Sequence, residues 1–233
     1  MSASAHPWWV AVTNLGDSAV MLPCIALIAL WLVIPAATRG LALRWLLLTL
    51  GVMAVVAASK LAFMGWLVSL PGLDFIGLSG HCAIAAVVWP GLGGLLGGRR
   101  SVRWQAAGIG LGALIALAVS ASRLVLHAHS VSEAVLGTLL GGVGALAFLI
   151  RHRARWRLPE RVYVALLSLL LVLPLVYGHR FPSEPLLAHL ARQLSGHAAY
   201  QREDLQRLRE RAGNAAASAV LHEHPVRGAV TPN

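Results

Sequence analysis

The sequence predicts an all-α, polytopic helical membrane protein with about six transmembrane helices and a polar C-terminal tail. Of its 233 residues, 58% are hydrophobic and only 12% are charged, whereas soluble domains carry about 25% charged residues. The first 98 residues hold five charged side chains, separated by apolar runs, namely Asp17, Arg39, Arg44, Lys60 and Asp74. These runs are long enough to cross a bilayer core of about 30 Å, so a soluble globular protein is excluded.

Six transmembrane spans are predicted, at 18–37, 41–59, 80–97, 104–122, 130–150 and 162–178. The last is short and contains Pro174. Residues 1–178 thus form a predicted transmembrane domain, followed by a polar tail over 179–233. Leucines spaced along one helical face predict a surface helix in the tail. From about 212 onward the composition, rich in Ala, Pro and Gly, predicts disorder.

The arginines predict how the chain is oriented. Ten of them fall in alternate connections between the spans, at 39, 44, 99, 100, 103, 151, 153, 155, 157 and 161. In the opposite connections, 60–79 and 123–129, the only Lys or Arg residues are Lys60 and Arg123. Because cytoplasmic loops are enriched in Lys and Arg, the second set should face the periplasm or exterior of a bacterial-type inner membrane. Orientation explains the net charge of +10 without a nucleic-acid partner.

Tryptophans near the predicted span ends are typical of the membrane interface, where indole rings prefer the headgroup level. They are Trp8, Trp9, Trp104 and Trp156. We expect them to anchor the spans rather than to contact a ligand.

The chemically versatile residues gather on the predicted outer side: Lys60, His81, Arg123, His127, His129 and Glu133. Ionisable groups near membrane depth are costly and are functional candidates for that reason. Ser79, Gly80 and His81 open a span, where backbone N–H groups and the helix dipole favour an anion. Arg123 can grip two phosphate oxygens, and Lys60 adds a point charge. The alternative is that the cations snorkel at helix ends and the histidines make interfacial hydrogen bonds.

His129 and Glu133 lie one helical turn apart and therefore share a face. A carboxylate in that position can accept the imidazole Nδ1–H, which leaves Nε2 as an oriented nucleophile. His127, two residues before His129, should face elsewhere and is expected to be a bystander.

This ordered set resembles the type 2 phosphatidic acid phosphatase superfamily of membrane lipid phosphatases. The motifs that carry the resemblance are Lys60, then Ser79-Gly80-His81, then Ser122-Arg123, five residues, His129, three residues and Glu133. They cover about residues 60–133, and the helix organisation resembles the family over about residues 1–178.

The resemblance implies a mechanism and a role for each motif residue. His129 would attack phosphorus and become a phosphohistidine, and His81 would protonate the leaving oxygen and then activate water. Glu133 would orient His129. The phosphoryl oxygens would be held by Lys60, Ser79, Gly80 and Arg123. The family mechanism needs neither a metal nor another cofactor, and its main requirement is positioning and charge stabilisation.

Three positions depart from the family pattern. The Arg-Pro that usually follows the lysine by seven residues is replaced by Leu67 and Val68, so one phosphate ligand is missing or comes from elsewhere. Leu78 stands where a proline is usual before Ser-Gly-His. Glu133 replaces the usual aspartate. The last two changes are chemically mild.

The sequence therefore predicts a lipid phosphate or diphosphate phosphatase, with undecaprenyl diphosphate as the first expected substrate and phosphatidic-type lipids next. Its expected partners are the lipid substrate and the bilayer, and the oligomeric state is not predicted. A non-catalytic relative that binds or transfers anionic lipid is the alternative. A metal site is also conceivable, with the ligands His81, His127, His129 and Glu133.

Overall fold

The computed structural model describes residues 7–156 and 162–223, which form helices and no strands. In chain order these are α1 (Pro7–Asn14), α2 (Ser18–Val33), a 3-10 turn (Ala36–Thr38), α3 (Arg39–Trp66), α4 (Gly80–Gly97), α5 (Val102–Val125), α6 (Val131–His152), α7 (Val162–Val176), α8 (Ser183–Ser195) and α9 (Arg202–Glu223). The predicted all-α fold is confirmed.

Within the described ranges, five helical stretches are long and apolar enough to cross a membrane: Pro7–Val33, Ala36–Trp66, Gly80–Gly97, Val102–Val125 and Val131–His152. Their outward faces expose large apolar side chains, as Leu111, Leu114 and Leu117 do on α5. Such rows suit contact with lipid rather than with water. The protein is therefore a polytopic integral membrane protein.

The sixth predicted span corresponds to α7, which is shorter than a full bilayer crossing. Its 15 residues rise about 22 Å at about 1.5 Å per residue. It packs against α2 and buries Ala165 and Leu169 in the core. The chain lies at the arginine-rich end at Trp156, whereas after α7 the Phe181 N–H donates to Asp17 Oδ1 at 3.2 Å. Thus α7 carries the chain from one end of the bundle to the other.

Helix α4 lies at the centre of the bundle, in direct backbone contact with α5 and α6. A Cβ on Gly93 would lie 2.0 Å from the Gly108 carbonyl oxygen, and one on Gly141 would lie 2.0 Å from that of Ala83. Only glycine permits these approaches. They place the first turns of α4 and α6 side by side, where the Ser79 N–H donates to the Glu133 carbonyl at 3.2 Å.

The arginine-rich end is closed by an aromatic cluster of Trp45, Phe148 and Trp156. Trp156 is fully buried, and its indole N–H donates to the Gly91 carbonyl at 2.8 Å. This corrects the expectation that Trp156 anchors the membrane interface. The cause is the close packing of α3, α4 and α6, which leaves an apolar space that the indole fills.

The polar tail packs onto the opposite end of the bundle, where the candidate site lies. Helix α8 lies against α3 and buries Ala191, and the Tyr200 N–H donates to the Met64 carbonyl at 2.9 Å. Helix α9 continues to Glu223, so it covers part of the segment for which composition predicted disorder. The alanine-rich sequence favours this helix. Residues 224–233 lie outside the described residues.

Candidate active site

His129 and Glu133 meet at the start of α6. The His129 Nδ1 lies 2.7 Å from Glu133 Oε2, and both side chains are buried. Ser130 caps the helix, because its hydroxyl accepts the Glu133 N–H at 3.4 Å while its own N–H donates to Glu133 Oε2 at 3.2 Å. An ionised carboxylate only accepts hydrogen bonds, so Nδ1 carries the proton and Nε2 holds the free lone pair.

Burial lowers the pKa of His129 below its ordinary value of 6.5. The hydrogen bond that His129 donates to Glu133 opposes this effect, and the positive charges of Lys60 and Arg123 add to it. The imidazole is therefore neutral at physiological pH, which is the state that a nitrogen nucleophile requires.

One cavity of about 660 Å³ brings together most of the residues singled out in the sequence. Its polar end is lined by Lys60, Gly80, His81, Arg123 and His129. A Cβ at Gly80 would meet only a Val56 methyl group, at 3.5 Å. Protein packing therefore does not require glycine at this position, and the space beside Gly80 belongs to the cavity.

Lys60 projects into this cavity from within α3. The predicted second span ends at residue 59, but α3 continues to Trp66, and Lys60 is only 9% exposed. The loop after α3 presses against it: Gly77 has a φ of +124°, and a Cβ there would lie 2.8 Å from Lys60 Cγ. The Lys60 Nζ lies 3.0 Å from Glu184 Oε1 of α8.

Arg123 reaches the cavity from the last turn of α5. Its Nη1 donates to the Thr13 hydroxyl at 3.1 Å. Its Nε and the Ser79 hydroxyl are buried and have no hydrogen-bond partner among the described residues. A buried donor without a partner is costly, so Arg123 retains capacity for an anionic ligand. Ser79 lies behind the cavity wall, at the N-cap of α4.

His81 faces a carboxylate that sequence reasoning did not place in the site. Its Nε2 lies 3.5 Å from Asp17 Oδ2. Asp17 also caps α2, because its Oδ1 accepts the Ala19 N–H at 2.8 Å. The pair places a carboxylate beside the imidazole that is predicted to act as the general acid. The sequence feature that could have indicated Asp17 as a site residue is its isolation as an acidic residue in an otherwise apolar N-terminal region.

His127 lies apart from this group. It is exposed, adopts a positive φ of 51° and does not line the cavity. Over residues 7–156 and 162–223, no three side chains of His, Cys, Asp or Glu converge as metal ligands. The set His81, His127, His129 and Glu133, considered above as a metal site, is thus not brought together.

Comparison with known proteins places the chain in a family. Residues 68–157 match the model of the PAP2 superfamily. The chain is also 39% identical over 188 residues to an uncharacterised 22.5 kDa protein in the cps region of Klebsiella pneumoniae, covering 78% of this chain and 90% of that protein. No solved structure matches it significantly. The chain belongs to the PAP2 superfamily. Members of the PAP2 superfamily are phosphatases.

The tail contributes side chains that motif spacing in this PAP2 protein does not indicate. Arg180 and Glu184 line the cavity. From the start of α9, the Arg202 guanidinium contacts both carboxylate oxygens of Glu133, at 2.8 and 2.9 Å. Where the family's first motif has an arginine, Leu67 ends α3 in the left-handed conformation. Arg180 thus gives the cavity a cation from a different part of the chain.

Proposed function

We propose that this protein is an integral membrane phosphatase that hydrolyses a terminal phosphate or diphosphate of a lipid through a phosphohistidine intermediate. Undecaprenyl diphosphate is the first proposed substrate, and phosphatidic-type lipids are next. His129, His81 and Glu133 are proposed to catalyse the reaction. The proposed phosphate-binding residues are Lys60, Gly80 and Arg123, which line the cavity, and Ser79, which precedes Gly80 and whose buried hydroxyl has no partner among the described residues.

The observation that carries this proposal is the two-part lining of one cavity. Beyond the polar end, its walls are apolar side chains of α2 and α3, namely Met21, Leu22, Val52, Met53 and Val56. A lipid whose phosphate reaches the cations would therefore place its first methylene groups against this apolar wall. A soluble phosphomonoester has nothing to bury there, so the hydrophobic effect favours the lipid.

The first chemical step transfers the phosphoryl group to His129. The Nε2 lone pair forms a bond to phosphorus while the bond from phosphorus to the leaving oxygen breaks. His81 donates its proton to that oxygen, with the Asp17 carboxylate 3.5 Å from its Nε2. Lys60 and Arg123 stabilise the charge on the phosphoryl oxygens. For a lipid diphosphate, the lipid monophosphate leaves.

The second step hydrolyses the phosphohistidine. His81, now neutral, takes a proton from a water molecule that attacks phosphorus, and the bond to His129 Nε2 breaks. Inorganic phosphate leaves and both histidines return to their starting states. In both steps Glu133 keeps Nδ1 as the protonated nitrogen, so that Nε2 remains the reacting atom.

A lipid diphosphate suits the charge of the cavity better than a lipid monophosphate does. Lys60, Arg123 and Arg180 all line it, and a diphosphate presents more negative charge to these cations. Arg180 has no hydrogen-bond or ion-pair partner in the described part of the chain, so a second phosphate group could recruit it. This supports placing the polyprenyl diphosphate first.

We also propose that the site faces the periplasm or exterior. Among the described residues, the connections at the other end of the bundle contain eight arginines, and positively charged loops remain cytoplasmic. In the tail, only Arg180 and Arg192 fall within about 20 residues of the end of α7, the range over which Lys and Arg orient a span.

The test is phosphate release by purified protein in detergent. Polyprenyl diphosphate, phosphatidic acid and a soluble phosphomonoester are supplied at matched concentrations to wild type, His129→Ala and His127→Ala. His129→Ala should lose activity by more than about a thousandfold, because it removes the nucleophile. His127→Ala is the matched control and should retain most of it, since His127 lies outside the cavity.

Two outcomes would overturn the proposal. Faster cleavage of the soluble ester than of either lipid would refute a lipid substrate. Equal loss of activity in the two histidine variants would refute His129 as the nucleophile. If the protein binds lipid phosphate, or vanadate as a mimic of pentacoordinate phosphorus, but releases no phosphate, it would instead be the non-catalytic lipid-binding relative.

A further inference from the structure

Arg202, the first residue of α9, joins two parts of the site that are far apart in sequence. Its Nη2 lies 2.8 Å from Glu133 Oε1 and 2.9 Å from Oε2. Its Nη1 donates to the carboxylate of Asp74, in the loop between α3 and α4. The Arg202 side chain is 24% exposed, whereas Glu133 is fully buried. This is an ion pair with most of its water removed, which makes it stronger than a surface pair.

The placement of Arg202 does not depend on Glu133 alone. The Tyr200 N–H donates to the Met64 carbonyl at 2.9 Å, two residues before α9 begins. Seven residues after Arg202, the Arg209 guanidinium donates to the Leu73 carbonyl. The segment is therefore docked on both sides of Arg202, and the guanidinium is delivered to the carboxylate from a fixed position.

The contacts of Glu133 show what Arg202 controls. Oε1 accepts the Ile76 N–H at 2.9 Å, and Oε2 accepts both the Ser130 N–H and His129 Nδ1. These separate donors determine which way each oxygen faces, and Arg202, which contacts both oxygens almost equally, holds the end of the Glu133 side chain in place. A shift of the carboxylate away from this position would take Oε2 out of reach of His129. The positive charge of Arg202 also offsets the negative charge that Glu133 presents to the imidazole.

We propose that Arg202 is a positioning residue of the phosphatase site, which fixes the Glu133 carboxylate and thereby orients the His129 imidazole. The catalytic part of this inference rests on the proposed function. Arg202 itself does not line the cavity and need not touch substrate. The tail is thus part of the catalytic apparatus, since without α9 the carboxylate that holds His129 loses its ion-pair partner.

The test compares Arg202→Gln, Arg202→Lys and Arg209→Gln. Arg202→Gln should lower kcat by roughly 10- to 100-fold with little change in KM, because a misplaced nucleophile slows the chemical step; loss of the outer partners of metal-bound histidines has effects of about this size. Arg202→Lys keeps the charge but not the fork and should recover part of the loss. Arg209→Gln removes one of the two contacts that dock the segment but leaves the Arg202 guanidinium intact, so it should lower kcat less than Arg202→Gln does.

A second readout follows the imidazole itself and requires no turnover. NMR of isotope-labelled histidine in detergent, with the His129 signals assigned from a His129→Gln spectrum, reports its tautomer and pKa. In Arg202→Gln the uncompensated charge of Glu133 should raise the pKa of His129, and the acid limb of kcat/KM should move to higher pH. This substitution does not change the other charged groups that face His129, which are Lys60, Arg123 and Glu184.

These results separate the inference from the proposed function. If Arg202→Gln keeps both the wild-type kcat and the wild-type His129 signals, Arg202 is not a positioning residue. Equal losses in Arg202→Gln and Arg209→Gln, with unchanged His129 signals, would show that α9 matters only for docking. If wild type releases phosphate from no lipid, the proposed function fails, and the NMR signals still decide whether Arg202 orients His129.

Discussion

Replacing Glu184 by glutamine should lower the KM for a lipid phosphate. The Glu184 carboxylate lies 3.0 Å from the Lys60 ammonium inside the cavity. Lys60 lowers the pKa of Glu184, so this carboxylate is ionised at neutral pH. An incoming phosphate must compete with it for Lys60. Glutamine has nearly the same shape and no charge, so the competition weakens while the packing of α8 is preserved.

The size of the effect follows from the burial of the pair. Lys60 is nearly buried, but the Glu184 side chain is 65% exposed, so water screens the attraction strongly. Ion pairs of this kind contribute about 0.2–1 kcal/mol. Removing Glu184 as a competitor for Lys60 should therefore lower KM by about 1.4- to fivefold, since about 1.4 kcal/mol corresponds to tenfold in affinity. The value of kcat should change less, because Glu184 is not part of the proposed chemistry.

The assay is steady-state phosphate release from a short-chain lipid phosphate in detergent over a range of substrate concentrations. Glu203→Gln is the matched control, because Glu203 is exposed on α9 and does not line the cavity. The inhibition constant of inorganic phosphate should fall in Glu184→Gln in parallel with KM. A higher KM in Glu184→Gln would mean that Glu184 helps to bind substrate. If KM changed equally in Glu184→Gln and Glu203→Gln, the effect would come from the net charge of the protein and not from the pair with Lys60.

Two further predictions concern pH and topology. Because burial lowers the pKa of His129, kcat/KM should fall on acidification only below about pH 6.5. Glu133→Gln should shift this acidic decline to still lower pH and reduce the maximal kcat/KM. If kcat/KM of wild type already declined above about pH 7, His129 would not be the nucleophile. Cysteines at Leu70 and Val125 should react with a membrane-impermeant maleimide applied to intact cells, whereas one at Ser101 should not, and the reverse pattern would invert the topology. The two native cysteines are buried and do not compete for the reagent.

The parts of the fold and site that the sequence predicts are those set by local spacing. Apolar runs of about 20 residues predict spans because the bilayer fixes their length. His129 and Glu133 are four residues apart, which places them on one face of a helix, and the structure brings them within 2.7 Å. Lys60 illustrates the limit of this reasoning. A single charge ended the predicted span, yet the helix continues to Trp66 because Lys60 turns into the polar cavity.

The parts that could not be predicted depend on contacts between distant segments. Glu184 is 124 positions from Lys60, and Arg202 is 69 positions from Glu133. No periodicity or motif links residues so far apart, and a charged tail is usually a solvated surface. The same limit applies to Trp156, whose burial depends on how α3, α4 and α6 pack at the other end of the bundle.

The tail acts on the site in two opposing ways, which determines how its role can be measured. Through Glu184 it pairs with Lys60, the cation proposed to bind the substrate phosphate, whereas through Arg202 it contacts Glu133, the carboxylate proposed to orient the nucleophile. Removing the whole tail would free Lys60 and release Glu133 at once, so a gain in substrate affinity and a loss in kcat would be superimposed. A small net change in kcat/KM could then hide two large effects. Single substitutions at Glu184 and Arg202 separate them, because the first should change mainly KM and the second mainly kcat.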